Sequence, residues 1–138
     1  MRFLQRTAIA TTIALALSAG AAIAAKGYTG NWPMTVSQSQ HSNGTYCLTL
    51  TDGGSLGWPH SGFASLTGPG GKLPYGTFQV IGNTFIVTME QSGYGQNAGL
   101  VFTAPTVKRG FGTGAYDQVY GGEAFDTGLV TFGAKGGC

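Results

Sequence analysis

Two histidines, His41 and His60, are the only side chains in this sequence that titrate near neutral pH, so acid–base chemistry would begin with one of them. Asp52 and Ser61 lie close to His60 in the sequence, and together these types would form a hydrolytic Ser-His-Asp arrangement. Geometry defines such a triad, and no nucleophile-elbow motif accompanies these residues. A small hydrolase using His60 is therefore the third and least favoured of three functional hypotheses.

Glu123 and Asp126 are the carboxylates that come nearest to a glycosidase pair or a calcium site. A glycosidase needs two carboxyl groups facing one cleft at about 5–10 Å, and calcium takes six to eight oxygens from a denser acidic pattern. The two histidines lack further ligands at metal spacing. We predict no catalytic residue, no metal and no cofactor, and expect the protein not to be an enzyme.

A segment that begins at Pro105 and ends at Gly128 combines five of the ten charged residues that follow residue 25 with glycines and aromatic residues. Interpreted as a long loop, it is a place where binding residues are common on β scaffolds. The candidate ligand-binding residues are three aromatics of this segment and three residues elsewhere: Trp32, Trp58, His60, Tyr116, Tyr120 and Phe125. The alternative is that these aromatics pack over a barrel end while the charges keep the rim soluble.

The elements that must position these residues are short strands. No window has sustained apolar residues at helical spacing, and the recurring pattern is alternation bounded by Gly, Pro, Asn and Asp. Gly82-Asn83 is the clearest hairpin turn, and Pro105 is expected to end the sixth strand. The eight predicted strands are residues 31–38, 45–51, 62–67, 75–81, 84–91, 99–104, 115–120 and 129–135.

Eight short strands without crossover helices predict an all-β fold, a single antiparallel up-and-down β-barrel, with a β-sandwich as the alternative. In strands one, two and eight, the face opposite the larger apolar residues is rich in Thr, Ser and Gly, as in a barrel wall that faces water. A barrel of the outer membrane needs strands of about 9–11 residues with a lipid-facing apolar band. We therefore expect no membrane insertion of the mature chain.

The N-terminal stretch has the pattern of a secretory signal peptide. Two arginines in the first six residues precede an apolar run over residues 8–17, and small residues at 22–24 offer a cleavage site. The prediction is a signal peptide over residues 1–25 and one β-barrel domain over residues 26–138. The expected location is periplasmic or extracellular.

Removal of that leader would change the charge balance. The whole sequence has 7 Lys+Arg and 5 Asp+Glu, and loss of Arg2 and Arg6 leaves five of each, so the mature chain is formally neutral. Nucleic acid and anionic membranes are excluded as expected partners, because both require clustered positive charge. The expected partner is a small molecule, a glycan or a protein, and the chain is expected to be a monomer.

Cys47 and Cys138 are the only cysteines. In an oxidising compartment the simple interpretation is one disulfide, with two free thiols as the alternative. The bridge would stabilise the fold by roughly 4–5 kcal/mol in the chain-entropy model, since it closes a loop of about 91 residues. If the last strand pairs with the first, Gly136-Gly137 would carry Cys138 across the outer wall to Cys47.

Gly30-Asn31-Trp32 at the start of the first strand, followed by a run of antiparallel strands, resembles the small up-and-down barrels of the calycin group, which includes lipocalins and avidins. In that group a Gly-x-Trp places the indole across one end of the barrel as a floor. A similar opening, with a Cys in the next strand, is found in small periplasmic barrels that inhibit metalloproteinases. The resemblance implies a binding function, with a small ligand in the cup or a protease at the rim.

The chain also departs from these patterns. Pro33-Met34 stands where the avidin pattern continues into a Gly-Ser loop, so biotin is not implied, and the inhibitor barrels close their bridge locally. The leading hypothesis is a secreted, non-enzymatic binding protein that uses the barrel mouth or the segment from Pro105 to Gly128. The second is an inhibitor or interaction module that acts on proteins through its rim.

Overall fold

The structure, a computed structural model, describes residues 27–52, 60–91, 98–121 and 123–138. The predicted signal peptide lies outside these ranges. Within them, no helix is long and apolar enough to cross a membrane. The strands are β1 (Gly30–Ser37), β2 (Gly44–Asp52), β3 (Ser61–Gly68), β4 (Gly71–Ile81), β5 (Thr84–Glu90), β6 (Gly99–Val107), β7 (Gly110–Phe111), β8 (Gly114–Tyr120) and β9 (Glu123–Phe132).

The strands form one closed antiparallel sheet. Strands β1 to β6 pair in chain order, β6 pairs with β8, β8 pairs with β9, and β9 returns to β1. Strand β7 is a two-residue addition to the end of β6. The prediction of an antiparallel up-and-down barrel with eight wall strands is confirmed, and this architecture is consistent with a calycin-like barrel fold.

Alternation of side chains across each strand fills the interior of the barrel. The predicted inward faces of the first, second and fifth strands are confirmed, since their apolar residues are buried, except Tyr46, which is half-buried. The central core residues are fully buried: Met34, Leu48, Leu50, Phe85, Val87, Met89 and Val130. Each buried side chain of this size stabilises the fold by about 1.5–3 kcal/mol before entropy is subtracted.

The two ends of the barrel differ. Because neighbouring strands are antiparallel, one end carries the β1–β2 loop (residues 38–43) and the Pro69-Gly70 turn between β3 and β4. We call this end the mouth. The opposite end, called the closed end, carries the start of β1 and the Gly82-Asn83 turn, where Gly82 takes the positive φ of 61° that suits a two-residue hairpin.

Aromatic rings fill the closed end of the barrel. Trp32 is 2% exposed, its ring centroid lies 4.7 Å from that of Phe111, and its Nε1 donates to the carbonyl of Tyr28 at 2.9 Å. The β6–β7 turn, in which Arg109 takes a φ of 66°, returns the chain so that Phe111 stacks on Phe85 at 4.0 Å. The indole therefore lies at one end of the barrel, as the resemblance implies.

A disulfide joins Cys47 to Cys138, whose Cα atoms are 5.8 Å apart. The tail after β9 runs beside β1, where the N–H of Gly133 donates to Pro33 and that of Gly136 donates to Asn31. The bridge thus fastens the C-terminus across β1 to β2, next to the β1–β9 seam that closes the barrel. This pairing was predicted and is confirmed.

Three predictions about the last third of the chain are wrong. Strand β6 runs through Pro105 to Val107, and the segment from Pro105 to Gly128 is mostly strand rather than a long loop. The last strand begins at Glu123 and ends at Phe132. Pairing of the first part of β9 with β8 overrides the low strand propensity of its Glu, Asp and Gly residues.

Candidate functional site

The mouth contains a cavity of about 560 Å³. Its walls come from the mouth-side ends of the strands and its cover from the β1–β2 loop, so residues far apart in the chain meet there. The lining residues are His41, Ser42, Asn43, Tyr46, Leu66, Pro69, Gly70, Gly71, Leu73, Gln91, Leu100, Phe102, Tyr116, Gln118 and Phe125. Below the cavity the barrel is packed, so the cavity is a cup at one end rather than a channel.

The lower wall of the cavity is apolar. Leu66 and Leu100 are buried on β3 and β6, and Leu73 extends the apolar surface toward the rim from β4. Phe102 stacks on Tyr116 across the β6–β8 pair, with ring centroids 5.5 Å apart. Apolar walls with a few placed polar groups are typical of small-molecule sites.

A chain of hydrogen bonds crosses the mouth. The hydroxyl of Tyr116 lies 2.7 Å from Ser42 Oγ and donates to Gln118 Oε1 at 3.2 Å. Gln118 Nε2 then donates to Gln91 Oε1 at 3.1 Å, and the Tyr46 hydroxyl donates to the carbonyl of Ser42 at 2.7 Å. These contacts join the loop to β2, to β8 and to Gln91 just after β5, and they place polar groups at the top of an apolar wall.

Burial raises the pKa of both tyrosines in this chain of hydrogen bonds, Tyr116 and Tyr46. For Tyr116, desolvation outweighs the lowering by the Ser42 hydrogen bond, and the nearby Asp126 charge raises the pKa further. For Tyr46, desolvation alone raises the pKa. Both phenols are therefore neutral hydrogen-bonding groups near pH 7.

Gly68 provides the space in which the Tyr46 ring lies. A Cβ atom at Gly68 would overlap the ring of Tyr46, so any side chain here would displace the ring from the cavity wall. The absence of a side chain at the end of β3 thus sets the position of the Tyr46 hydroxyl under the loop.

Asp126 anchors the β1–β2 loop, which covers the cavity. This carboxylate is 5% exposed and accepts hydrogen bonds from Ser39 Oγ at 2.5 Å, the N–H of Gln40 at 3.0 Å and the N–H of His41 at 3.1 Å. Desolvation raises the pKa of Asp126, but these bonds and one from the Thr127 N–H outweigh it and hold the pKa below its ordinary value. The loop is therefore anchored by a charged acceptor.

A second set of bonds shapes the loop itself. Asn43 Oδ1 accepts from the Ser39 N–H at 2.8 Å, and Asn43 Nδ2 donates to the Ser39 carbonyl at 2.9 Å. Ser39 Oγ accepts from the Ser42 N–H at 2.8 Å. Ser42 is thus held where its hydroxyl meets Tyr116.

Aromatic rings form one side of the rim. His41 stacks on Phe125 with ring centroids 5.3 Å apart, and Tyr120 lies 6.5 Å from Phe125. Phe125 and Tyr120 are more than half exposed. The rim therefore offers an aromatic surface beside the cavity.

The predicted site residues fall at both ends of the barrel. Tyr116 and Phe125 line the mouth cavity, and Tyr120 stands beside Phe125 outside it. Trp32 lies in the closed end, where His60 is exposed with its ring 6.1 Å from that of Tyr28. The structure therefore does not bring Trp32 and His60 to the cavity. Trp58 lies outside the described residues.

Sequence analysis did not identify Tyr46, Ser42, Gln91 and Gln118 as site residues. The available signal was polar residues at positions that the alternation assigns to the inside, such as Gln118 two residues after the inward Tyr116. Ser42 carried no such signal, since its place depends on the loop.

The carboxylates considered for catalysis are separated by environment. Glu123 is exposed at the first position of β9, while Asp126 is buried with both oxygens hydrogen-bonded. Among the residues that the structure describes, no group of three or more His, Cys, Asp or Glu side chains is placed to hold a metal ion.

A larger depression of about 950 Å³ lies on the outer wall of the barrel, lined by outward residues of β3 to β6 and β8. Phe63 and Tyr75, its main aromatic residues, are 61% and 66% exposed. Its walls are thus already in water, whereas Leu66, Leu100 and Tyr116 of the mouth are buried. Enclosing walls bury a ligand, so the smaller mouth cavity is the better candidate site.

Comparison of this chain with protein-family models, with curated proteins and with solved structures gives no match.

Proposed function

We propose that this protein is an exported, non-enzymatic binding protein that holds a small molecule in the mouth cavity. The observation that carries the proposal is the cavity of about 560 Å³, which combines a buried apolar wall with the polar chain from Ser42 to Gln91. Small-molecule sites commonly have about 300–1,000 Å³ and this combination of linings. The loop held by Asp126 supplies a cover that is formed before any ligand enters.

Two features support export as part of the proposal. The leader has the pattern of a secretory signal peptide. The Cys47–Cys138 disulfide is of the kind that forms and persists in oxidising compartments. Together they favour the periplasm or the extracellular space, with the bridge formed after export.

Two adjacent residues of β6 allow a sharp test of the site. Leu100 lines the mouth cavity and Val101, on the opposite face of the same strand, lines the outer depression. Leu100→Trp would fill part of the cavity, and Val101→Trp would fill part of the depression with a similar added volume. Leu73→Trp, at a less buried position of the cavity wall, is the second mouth variant in case Leu100→Trp destabilises the fold.

The assay is a fluorescence titration of the oxidised protein with N-phenyl-1-naphthylamine, an uncharged apolar probe. We expect saturable one-to-one binding that Leu100→Trp and Leu73→Trp weaken about tenfold or more and that Val101→Trp leaves unchanged. Loss of binding in Val101→Trp alone would assign the site to the outer wall. No saturable binding by the wild-type protein would count against the proposal.

A second candidate function is an interaction module or inhibitor that acts on a protein through the rim. The exposed rings of Tyr120 and Phe125 favour it, because aromatic residues are enriched at protein interfaces. A photo-crosslinking residue at position 120 would then capture one protein in the exporting cell. The control position is Ile81, similarly exposed at the closed end. Equal labelling at both positions would contradict a rim interface.

A further inference from the structure

We propose that the mouth cavity selects uncharged, largely apolar ligands that carry a hydrogen-bond acceptor such as a carbonyl, and that the side-chain amide of Gln91 receives this acceptor. The inference rests on the proposed function, since it names the ligand class of the same cavity. Two independent features of the cavity carry it: the charge of its lining and the direction of its hydrogen bonds.

Where the structure describes it, the lining of the cavity lacks acidic side chains and the strongly basic side chains of Lys and Arg. Among the described residues that line the cavity there is no Lys, Arg, Asp or Glu, and His41, the one histidine, stacks on Phe125. Asp126, a carboxylate whose charge acts on Tyr116 of the lining, has both oxygens occupied by the β1–β2 loop. A charged ligand would lose hydration in this apolar cup without meeting an opposite charge, and that loss is costly.

The hydrogen bonds of the mouth run in one direction. Because the Tyr116 hydroxyl donates its single proton to Gln118 Oε1, the Ser42 hydroxyl must be the donor to Tyr116. Gln118 Nε2 then donates to Gln91 Oε1. The chain of hydrogen bonds ends at Gln91, which accepts through its Oε1. The N–H groups of its side-chain amide are therefore not used in this chain.

Within the part of the chain that the structure describes, Gln91 Nε2 is a group with unused donors. Its two N–H groups have no acceptor among the hydrogen bonds of the described residues, and Gln91 is only partly buried on the cavity wall. Every fully buried side-chain polar atom of the described residues has a partner. The unused donors are therefore at a place that an entering ligand reaches, and an acceptor on the ligand would satisfy them.

The test compares two probes that share a naphthalene body. Prodan is uncharged and carries a ketone, and 6-dimethylamino-2-naphthoate carries a carboxylate in place of that ketone. We expect the oxidised wild-type protein to bind prodan about tenfold or more tightly than the naphthoate. The ketone should also show the red-shifted emission that a hydrogen-bond donor produces relative to an apolar site.

Variants at Gln91 test the recognition step. Gln91→Leu removes the amide, and Gln91→Glu keeps the acceptor that Gln118 uses while removing the free donors. Both should weaken prodan binding about fivefold to tenfold and shift its bound emission to the blue. The matched control is Gln79→Leu, at an exposed position of β4 on the outer wall. It should leave both signals unchanged.

The outcomes separate the two proposals. If neither probe binds the wild-type protein, the proposed function itself fails. If both probes bind equally, the site is a ligand cavity and the inferred selectivity is wrong. If prodan binds selectively but the Gln91 variants match the Gln79 control in affinity and emission, the amide of Gln91 is not the recognising group.

Discussion

Asp126→Asn should loosen the cover of the mouth while leaving the barrel folded. The carboxylate accepts from Ser39 Oγ and from the N–H groups of Gln40 and His41. Asparagine has one carbonyl oxygen where the carboxylate has two oxygens. Its amide nitrogen would therefore face a donor whose hydrogen bond the second carboxylate oxygen accepts in the wild type. A buried donor without an acceptor costs about 1–3 kcal/mol, and loss of the charge weakens the bonds that remain. We expect a total loss of about 2 kcal/mol near pH 7.

The pH dependence of this loss gives a second readout. The pKa of Asp126 is held below its ordinary value of 3.8, so the folded state favours the ionised form. Its contribution to stability is complete above the pKa of the unfolded chain and disappears as the pH falls through the lowered folded pKa. The amide of the variant does not titrate. The stability difference between wild type and variant should therefore narrow as the pH falls toward about 3 and below.

Thermal unfolding followed by circular dichroism measures both effects. At pH 7 the melting temperature of Asp126→Asn should lie roughly 6–10 °C below that of the wild type. The control is Asp117→Asn on the neighbouring strand. This substitution should change the melting temperature far less. N-phenyl-1-naphthylamine binding should weaken in Asp126→Asn, because the loop supplies Ser42 to the cavity. A gap between wild type and Asp126→Asn that stays constant down to acid pH would refute the role assigned to the charge.

Two further substitutions test the elements that hold the barrel together. Cys138→Ser should lower the stability of the oxidised protein by roughly 4–5 kcal/mol, because the bridge closes a loop of about 91 residues. Reduction of the wild-type protein should reproduce this loss, and an unchanged melting temperature would show that the bridge contributes nothing. Trp32→Ala should cost roughly 3–5 kcal/mol, because the indole is buried against Phe111. Chemical denaturation measures this loss, and a negligible change would mean that the closed end is not part of the core.

The first, second and fifth strands were predictable because their inward positions are apolar at strict alternation. Trp32, Met34 and Val36 on β1 are an example, and the polar residues between them leave one interpretation of the register. The start of β9 was missed because its inward positions are Asp126 and Gly128, which look like loop residues in the sequence. A polar residue at an inward position breaks the pattern from which a strand is inferred, and here that residue anchors the site.

The contacts of the mouth could not be predicted from local sequence patterns, because they join residues that are far apart in the chain. Ser42 meets Tyr116 across 74 positions of the chain, and Gln91 meets Gln118 across 27. These contacts follow from the closed strand order, in which β6 lies between β5 and β8 and β9 lies between β8 and β1. The barrel could therefore be predicted from alternation, whereas the polar chain required the register of every strand that contributes to it.

The contrast between the two ends has a physical consequence for how substitutions act. Atoms that line a cavity lack packing partners on one side, so the mouth contributes less dispersion energy per residue than the closed end. At the closed end, Phe111 contacts both Trp32 and Phe85, and truncating any of the three would open a cavity inside a packed cluster. Substitutions at Leu73 or Gln91 should therefore change probe binding more than stability, and substitutions in the closed-end cluster should do the reverse. A mouth substitution that lowered stability as much as Trp32→Ala would show that the two ends are not energetically separate.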